Sequence, residues 1–342
     1  MDSKEKLKDQ ERVVLAIIMP PIIEQLRRDK KMSAVHTYGS TLRSFLLFSE
    51  GEKSLEEGAL CLPTADDLFQ PGILKSYETW LRCRKAKWAT VSTYMRTLKA
   101  VYNRLVLNHE VVYNPQLFDD VYTKVEPTTK RALTAGQMHT LLATDVDALP
   151  KELQCILAYF LLTFLFRGMP FIDLAYLQKR DVCGNVITYC RHKTGRQITV
   201  RIPRIAEPLF ERFRNTNTDS IFLFPILDIM MENKACSVKY LNNEQLYDCY
   251  ARALRHFNSR LAKVASLLLP DAKLSSYTPR HTWATLAFYK GVTVGIISKA
   301  LGHSSIKVTD TYLKPFEDNI IDSANDDLIL SVMQSETEKE VA

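Results

Sequence analysis

One short stretch, residues 185–203, interrupts an otherwise helical distribution of apolar residues along this chain. Its letters, NVITYCRHKTGRQITVRIP, form two β-branched runs of alternating polarity that join at Lys193-Thr194-Gly195, a pattern typical of a β-hairpin. Elsewhere apolar residues recur at helical spacing, first from 11 to about 113 and again from about 135 to 316. The sequence therefore predicts a mainly α-helical protein with one small β-sheet.

A polar segment, residues 119–133, separates two regions of helical spacing. The first region ends at Asn114-Pro115, and the polar segment has no periodic apolar face. Thr134 stands three residues before Gln137, which is the spacing of a capping box at the start of a helix. The predicted division is a helical domain over 1–118, a linker over 119–133, a second domain over 134–316 and an acidic tail over 317–342.

The composition excludes several classes of protein. With 46% hydrophobic and 25% charged residues, the 342-residue chain is globular rather than disordered or fibrous. Its 7 cysteines are odd in number and show no two-residue spacing of a zinc or redox site, so we expect reduced thiols. The apolar run at 156–166 is shorter than the ~18 residues of a membrane span. A cytoplasmic protein without a membrane partner is expected.

Positive charge is concentrated between residues 75 and 104. This window holds 8 basic residues and 1 acid, although the whole chain carries a net charge of only +6. Trp80, Trp88, Tyr94 and Tyr102 are interleaved, as expected where rings pack on sugars and bases while cations meet phosphates. The window predicts a DNA-binding surface; a solvated basic face over core aromatics is the alternative. The candidate DNA contacts are Lys75, Arg82, Arg84, Lys85, Lys87, Tyr94, Arg96, Lys99 and Arg104.

In the second predicted domain, cationic side chains occupy two unusual places. Arg167 closes the apolar run FLLTFLF, where burying a guanidinium is costly unless an anion meets it. An ordinary helix-terminal arginine followed by a Gly168 cap is the alternative. Lys193 occupies the predicted hairpin tip, where a solvated lysine is the alternative. Its neighbours Arg191 and Arg196 are further candidate DNA contacts.

Two more places in this domain combine polar residues with helix ends. Arg280 begins the apolar helix that follows Tyr277, and a cation is disfavoured at a helix N-terminus unless an anion shares the site. His281, next in sequence, is a candidate ligand or a helix-packing side chain. Leu301-Gly302-His303 is a candidate catalytic turn, and Tyr312 follows nine positions after His303. The same letters are also compatible with a helix-turn-helix DNA reader. Tyr312 by itself is also compatible with a core aromatic residue.

Taken together, these residues resemble the signature of the tyrosine recombinase, or phage integrase, family. The signature is present here as Arg167, Lys193, Tyr277, Arg280, Leu301-Gly302-His303 and Tyr312. It differs from the family pattern at Tyr277, where histidine is usual. The stretches RGMPFIDLAYL and TPRHTWATLA are most similar to integrases of mobile elements from Bacteroides-type bacteria.

The resemblance implies a two-domain clamp around DNA, with a SAM-like helical core-binding domain over 1–118 and a catalytic domain over 134–316. It implies cleavage and rejoining through a 3′-phosphotyrosine, without metal, ATP or another cofactor, in integration or excision of a mobile element. The implied partners are double-stranded DNA with core-type inverted repeats, further copies of the chain from dimer to tetramer, and DNA-bending accessory proteins. The implied place is the nucleoid in a bacterial cytoplasm. A non-catalytic architectural protein and a type IB topoisomerase-like enzyme are the alternatives.

The resemblance also implies a role for each residue of the signature. Arg167 and Arg280 are assigned to the oxygens of the scissile phosphate, and Tyr312 to nucleophilic attack. Lys193 is the implied general acid for the departing 5′-oxygen, and His303 the residue that binds the phosphate or places the nucleophile. The remaining members are Tyr277, Asp173 and His281. A phenol, with a usual pKa of about 10, is a poor base at neutral pH, so Tyr277 is expected to donate a hydrogen bond to the phosphate instead. Asp173 corresponds to the family's acidic residue after the first arginine and is expected to orient Arg167, and His281 is a supporting residue.

The tail over 317–342 differs from the rest of the chain. It holds 8 acids and 1 base, together with an apolar stripe that includes Ile320, Ile321 and Leu328. A short helix packed on its own chain is one interpretation. The resemblance implies instead a helix that docks on a neighbouring copy, and a lone amphipathic segment does not distinguish the two.

Overall fold

The computed structural model describes residues 14–51, 64–125, 132–231, 241–303, 305–310, 313, 322 and 325–330. The chain divides into two compact units, 1–127 and 128–342, so the division falls within the polar segment 119–133. The described residues are mainly helical with one three-stranded sheet, which confirms the predicted fold class. Tyr312 lies outside the described residues, as does most of the acidic tail.

All regular secondary structure in the described part of the first unit is helical. Its helices are α1 (Leu15–Arg28), α2 (Met32–Gly51), α3 (Ala65–Leu68), α4 (Pro71–Cys83) and α5 (Trp88–Leu107). Local sequence explains two of the starts. Thr64 and Asp67 form a capping box before α3, and Pro71, whose φ suits a first helical turn, begins α4. Phe45 lies edge-on to both Phe48 and Tyr77 in the core between α2 and α4.

A buried carboxylate holds the start of the polar segment on the first unit. Glu78, on α4, accepts hydrogen bonds at 2.6 Å from Nζ of Lys75 and at 2.6 Å from the backbone N–H of Tyr122. Lys75 also donates to the carbonyl oxygen of Asp120 at 2.8 Å. Because charge-assisted bonds are stronger than neutral ones, residues 120–122 are anchored to α4.

The second unit surrounds its sheet with helices. They are α6 (Ala135–Ala143), α7 (Lys151–Leu165), α8 (Phe171–Tyr176), α9 (Glu207–Phe213), α10 (Asn243–Leu268), α11 (Thr278–Tyr289), α12 (Val294–Leu301) and α13 (Ile306–Asp310). The capping box predicted at Thr134 and Gln137 is present before α6. A helix that is apolar on all sides belongs inside a protein. Accordingly, α7 packs against both α10 and α11 and is the core of this unit.

The sheet is a short antiparallel meander. Its strands β1 (Val182–Cys183), β2 (Val186–Cys190) and β3 (Gln197–Arg201) lie in sequence order. Strands β2 and β3 pair from Val186↔Arg201 to Cys190↔Gln197, which confirms the predicted hairpin. Alternate residues of these strands, such as Ile187 and Val200, are buried, as strand periodicity requires. The turn between them carries Lys193 at its apex.

Four chain segments of the second unit converge near one point. They are the end of α7, the β2–β3 turn, the first turn of α11 and the end of α12. Gly302 ends α12 in a left-handed conformation, with φ of 65°. Within the described part of the chain, no helix combines the length and the apolar character that crossing a membrane requires.

Candidate active site

Arg280 lies at the centre of this convergence. It stands in the first turn of α11, and only 2% of its surface is exposed. Its Nη1 donates to the carbonyl oxygen of Gly168 at 2.7 Å, and its Nη2 donates to that of Leu301 at 2.6 Å. The same Nη2 lies 2.9 Å from Nε2 of His303. One buried guanidinium thus joins the ends of α7 and α12 to the start of α11.

His303 is held at both ring nitrogens. Because a guanidinium can only donate, we assign the acceptor role to Nε2 and the proton to Nδ1, which lies 2.9 Å from Oγ1 of Thr309. Burial, followed by the charges of Arg280, Arg191 and Lys193, lowers the pKa of His303 to about 3. The imidazole is therefore neutral at pH 7. In this arrangement its lone pair is directed at Arg280.

Arg167 and Gly168 leave α7 in a left-handed turn, with φ of 58° and 69°. Glycine is favoured at 168 because its φ is left-handed and a Cβ there would lie 3.0 Å from Cα of Arg280. The turn carries the side chain of Arg167 away from the apolar run, and the guanidinium is exposed rather than buried. Its Nη1 donates to the carbonyl oxygen of Thr199 on β3 at 3.3 Å.

Two arginines of the hairpin bind the carbonyl groups at the end of α12. Arg191, only 5% exposed, donates from Nη1 to Leu301 at 3.0 Å and to Gly302 at 2.9 Å. Arg196 donates from Nη1 to the carbonyl oxygen of His303. The last carbonyl groups of a helix have no partners within it, so these arginines supply donors that α12 lacks. The guanidinium of Arg191 therefore lies inside the second unit, whereas the sequence placed it at the DNA surface.

Asp173, on α8, is the one acidic residue among the buried side chains described in the second unit. Its Oδ1 accepts from the backbone N–H of His192 at 2.9 Å, and its Oδ2 lies 3.9 Å from Nε of Arg191. Burial raises the pKa of Asp173 to about 6, although the His192 bond and the charges of Arg191 and Arg280 oppose the shift. Asp173 therefore contacts the hairpin. The resemblance had instead assigned it to orienting Arg167.

Three predicted site residues, Lys193, Tyr277 and His281, are more exposed than these buried groups. Lys193 is exposed at the apex of the hairpin turn, and Tyr277, at the N-terminus of α11, is 53% exposed. The carbonyl oxygen of Tyr277 accepts from the backbone N–H of His281 at 3.1 Å, and His281 is half-buried. Tyr312, the expected nucleophile, lies outside the described residues. In the described part of the chain, no group of three His, Cys, Asp or Glu residues could hold a metal ion.

The basic window of the first unit has a different construction. Arg82 lies over the ring of Trp88 at 4.3 Å, and Arg84 lies over the ring of Trp80 at 4.7 Å. Lys75 is paired with Glu78. The side chains of Lys75, Arg82, Arg84, Lys85, Lys87, Arg96 and Lys99 are exposed, whereas those of Tyr94 and Arg104 are half-buried. Most of the candidate DNA contacts thus lie at the surface.

Thr309 is a site residue that sequence analysis missed. It is fully buried on α13 and contacts His303 across the Gly302 turn. A threonine six residues after a histidine is no recognisable signal, because the contact depends on how two helices meet. The ring of His303 is buried and faces Arg280. This geometry favours a catalytic turn over a helix-turn-helix reader.

The phage integrase family model matches residues 131–318, more than half of the 342-residue chain. The chain belongs to the phage integrase family. This membership confirms the resemblance predicted from the signature, and it makes the protein an enzyme of the tyrosine recombinase class. The matched region contains all six signature positions, including Tyr277 and Tyr312.

Individual relatives agree with this family. The chain is 23% identical over 284 residues to tyrosine recombinase XerA of Pyrococcus furiosus, across 80% of this chain and 83% of that protein. The Tn1549 transposon integrase, solved with a circular intermediate DNA, superposes with a TM-score of 0.59 at 15% identity. That likeness covers 92% of this chain and 99% of the other.

Two further solved structures share the fold. XerH recombinase, bound to its difH substrate, superposes with a TM-score of 0.56 at 14% identity, over 89% of this chain and 84% of that one. A lambda integrase dimer on a core site gives a TM-score of 0.51 at 15% identity, over 84% of this chain and 75% of that one. At these identities the likenesses establish the fold of this integrase-family chain.

Proposed function

We propose that the protein cuts and rejoins DNA at specific sites through a 3′-phosphotyrosine formed by Tyr312, in the integration or excision of a mobile element. The observation that carries the proposal is the burial of Arg280 among other cations, with Asp173 as the only buried carboxylate described in this unit. A site with such an excess of positive charge favours an anion. The anion of this family chemistry is the scissile phosphate.

The electrostatic argument rests on where charge develops. Attack on a phosphodiester adds negative charge to the equatorial oxygens, and cations already fixed nearby stabilise that charge without reorganisation. Arg280 is fixed by two carbonyl groups and His303, and Arg167 stands on an exposed turn one residue before Gly168. The two guanidiniums are the proposed phosphate ligands.

The proposed chemistry balances without a cofactor. The Oη atom of Tyr312 attacks phosphorus, the bond from phosphorus to the 5′-oxygen breaks, and Lys193 gives its proton to that oxygen. The phenol proton of Tyr312 passes to water or to a neighbouring base. The energy of the broken phosphodiester is retained in the phosphotyrosine, so attack by a 5′-hydroxyl reverses the step and rejoins DNA.

No single residue stands out as the base that accepts the phenol proton of Tyr312. Tyr277 replaces the histidine usual in the family, and its exposed hydroxyl suits donation of a hydrogen bond to the phosphate. His303 has its Nε2 lone pair directed at Arg280, so it acts first as a positioning residue. We therefore assign proton acceptance to water or to His303, with His281 as a supporting residue.

The first unit is proposed as the core-binding domain, over about 1–118, and the second as the catalytic domain, over 134–316. Exposed cations on α4 and α5 support contact with DNA backbone phosphates. The solved Tn1549 integrase and XerH structures contain DNA, and the lambda integrase structure is a dimer on DNA. These support a proposal of dimers to tetramers on inverted-repeat core sites in a bacterial nucleoid. Accessory DNA-bending proteins and tail docking between copies belong to the same proposal.

Covalent trapping tests the proposal. The full chain is incubated with nicked duplexes that carry candidate element ends, and products are separated in SDS with and without EDTA. We expect an SDS-resistant protein–DNA adduct that survives EDTA, is lost in Tyr312→Phe and persists in Tyr113→Phe, a matched exposed tyrosine of the first unit. DNA binding without an adduct would identify the non-catalytic alternative. Metal-dependent cleavage without an adduct would identify a nuclease, and relaxation of plasmids without any element end would identify the topoisomerase alternative.

A further inference from the structure

We propose that Arg191 is a positioning residue that holds the turn bearing Lys193 against the end of α12. This inference rests on the proposed function only in giving Lys193 the role of general acid. The anchoring contacts themselves are visible in the second unit. They replace the DNA contact that the sequence suggested for Arg191.

The first step is the burial of Arg191. Its guanidinium is bound by the carbonyl oxygens of Leu301 and Gly302 at 3.0 and 2.9 Å, and 5% of the residue is exposed. Both of these oxygens lie at the end of α12, so the guanidinium is directed at that helix. The carbonyl oxygen of Leu301 also accepts from Arg280 at 2.6 Å. Two arginines from separate elements therefore share one helix-terminal oxygen.

The second step is the geometry of the turn. The backbone N–H of Arg191 donates to the carbonyl oxygen of Arg196 at 2.8 Å, and that of Gly195 donates to the carbonyl oxygen of Arg191 at 2.8 Å. Lys193 stands at the apex of this closed loop. Among the residues that the structure describes, Lys193 has no hydrogen bond of its own. Its position therefore depends on what anchors the loop.

The third step is the number of anchors. The side chain of Arg191 binds α12, that of Arg196 binds the carbonyl oxygen of His303, and Asp173 binds the backbone N–H of His192 at 2.9 Å. Asp173 also places its negative charge 3.9 Å from Nε of Arg191. Arg191 is thus the residue of the loop whose side chain lies near both α8 and α12.

The fourth step is the close packing of hairpin and turn. A Cβ on Gly302 would lie 2.6 Å from Cδ1 of Ile198 on β3 and 3.3 Å from Cδ of Arg191. The hairpin therefore lies directly against the backbone that carries His303. By contrast, the ring of His303 is held by Arg280 and Thr309, neither of which belongs to the hairpin. Loss of Arg191 should displace Lys193 more than it displaces His303 or Arg280.

The expected consequence is a specific loss of acid catalysis. Proton transfer requires Nζ of Lys193 within hydrogen-bond reach of the departing 5′-oxygen. A displacement of about 1 Å is enough to slow such a step about 100-fold. The phosphorus–oxygen bond breaks with transfer of that proton. If the bridging atom is sulfur, the phosphorus–sulfur bond breaks to a thiolate, which is a stable anion and needs no proton.

The test compares bridging oxygen with bridging 5′-sulfur at the phosphate where the Tyr312 adduct maps. Arg191→Met should form adduct about 100-fold more slowly on the oxygen substrate under single-turnover conditions with saturating DNA. On the sulfur substrate it should approach the wild-type rate. Arg191→Lys, which keeps the charge and one donor, should lose less. Arg201→Met, an exposed arginine on the same hairpin, is the matched control and should cleave both substrates normally.

Three results would overturn the inference. Equal slowing of Arg191→Met on both substrates would place its effect on Arg280, His303 or the fold. An unchanged rate on the oxygen substrate would remove any role in positioning. A normal rate at saturation with weaker DNA binding and a smaller salt dependence would make Arg191 a phosphate contact.

Hydrogen exchange of the full chain tests the anchoring independently of catalysis. In Arg191→Met, amides of residues 193–196 and 299–303 should exchange faster than in wild type, and in Arg201→Met they should not. Unchanged protection in both segments would also overturn the inference. If wild type forms no adduct while these amides respond to Arg191→Met, the proposed function fails and the anchoring stands.

Discussion

The two units hold positive charge in opposite ways. On the first unit, Arg82 and Arg84 are exposed and lie over tryptophan rings. In the second unit, Arg191 and Arg280 are buried and donate to backbone carbonyl groups. The difference shows that one residue type forms a binding surface in one place and an internal framework in another.

The physical reason lies in solvation. A guanidinium over an aromatic ring keeps much of its hydration and can exchange the ring for a phosphate at small cost. A buried guanidinium has given up its water, and removing it leaves several buried carbonyl oxygens without donors. Substitutions in the second group should therefore have large effects, and those in the first group small ones that depend on salt.

Arg280→Lys should have the largest effect. Lysine keeps the charge but loses the planar set of donors that joins Gly168 and Leu301. We expect adduct formation to slow by about 10²–10³-fold, with little change in DNA affinity. Single-turnover cleavage and equilibrium binding measure the two quantities. Arg252→Lys, another carbonyl-bonded arginine of the second unit, should cleave normally; wild-type cleavage by Arg280→Lys would refute the assigned role.

Gly302→Ala should be next in size. Both Gly302 and Gly291 have left-handed φ, of 65° and 78°, but only the former has a neighbour in the way of a Cβ, Ile198. Left-handed strain costs an alanine about 1–2 kcal/mol. Overpacking should add about 1–3 kcal/mol at Gly302. Urea unfolding of Gly302→Ala and of the control Gly291→Ala measures this difference. Equal losses in the free energy of unfolding would mean that the hairpin can move away from the added Cβ without loss of stability.

Asp173→Asn should steepen the loss of stability in acid. Burial raises the pKa of Asp173 to about 6, so between about pH 6 and 4 only the folded state gains this proton, which stabilises it. The pKa of His303 is lowered to about 3 by burial and by Arg280, so below about pH 6.5 only the unfolded state gains that proton, which destabilises the fold. The two effects oppose each other in the wild type.

Without the Asp173 carboxyl, the His303 effect is no longer opposed by it between pH 6 and 4. The free energy of unfolding, measured in urea at several pH values, should then fall more steeply for Asp173→Asn than for wild type. Asp271→Asn, at an exposed carboxyl of the same unit, is the control and should follow the wild-type curve. Parallel curves for all three proteins would show that Asp173 keeps an ordinary pKa.

Arg84→Ala should have the smallest effect. Loss of one exposed phosphate contact weakens binding by about 1 kcal/mol and lowers the slope of log affinity against log salt by about 1. Arg43→Ala, an exposed arginine of the first unit outside residues 75–104, should leave the slope unchanged. Equal slopes for both variants would show that the ring-stacked cations do not meet DNA phosphates.

The fold and the family were accessible from sequence because their signals are local. The hairpin follows from alternation over 185–203, and the capping box from Thr134 and Gln137. The signature residues are recognised by order and spacing alone. Contacts of large sequence separation were not accessible. The carbonyl oxygen of Leu301, which Arg191 binds, lies 110 residues away along the chain. The sequence around neither residue indicates this contact.

Arg167 illustrates the same limit within a single segment. Sequence suggested a guanidinium buried against an apolar helix, because the letters FLLTFLF lead directly to it. A left-handed turn at Arg167 and Gly168 carries the side chain to the surface instead. The turn also brings residue 168 so close to α11 that a Cβ there would lie 3.0 Å from Cα of Arg280. The letters of the apolar run do not indicate this approach of a distant residue.

By itself, the sequence determined the helical class, the single hairpin, the family signature and the concentration of basic residues between 75 and 104. Only the tertiary structure decided which cations are buried and which are exposed, and that Asp173 holds the hairpin. The physical reason is that periodicity and capping depend on neighbours in the chain, whereas burial and hydrogen-bond partners depend on how distant segments pack. Carbonyl groups at the end of α12 acquire their donors only when the hairpin and α11 come together.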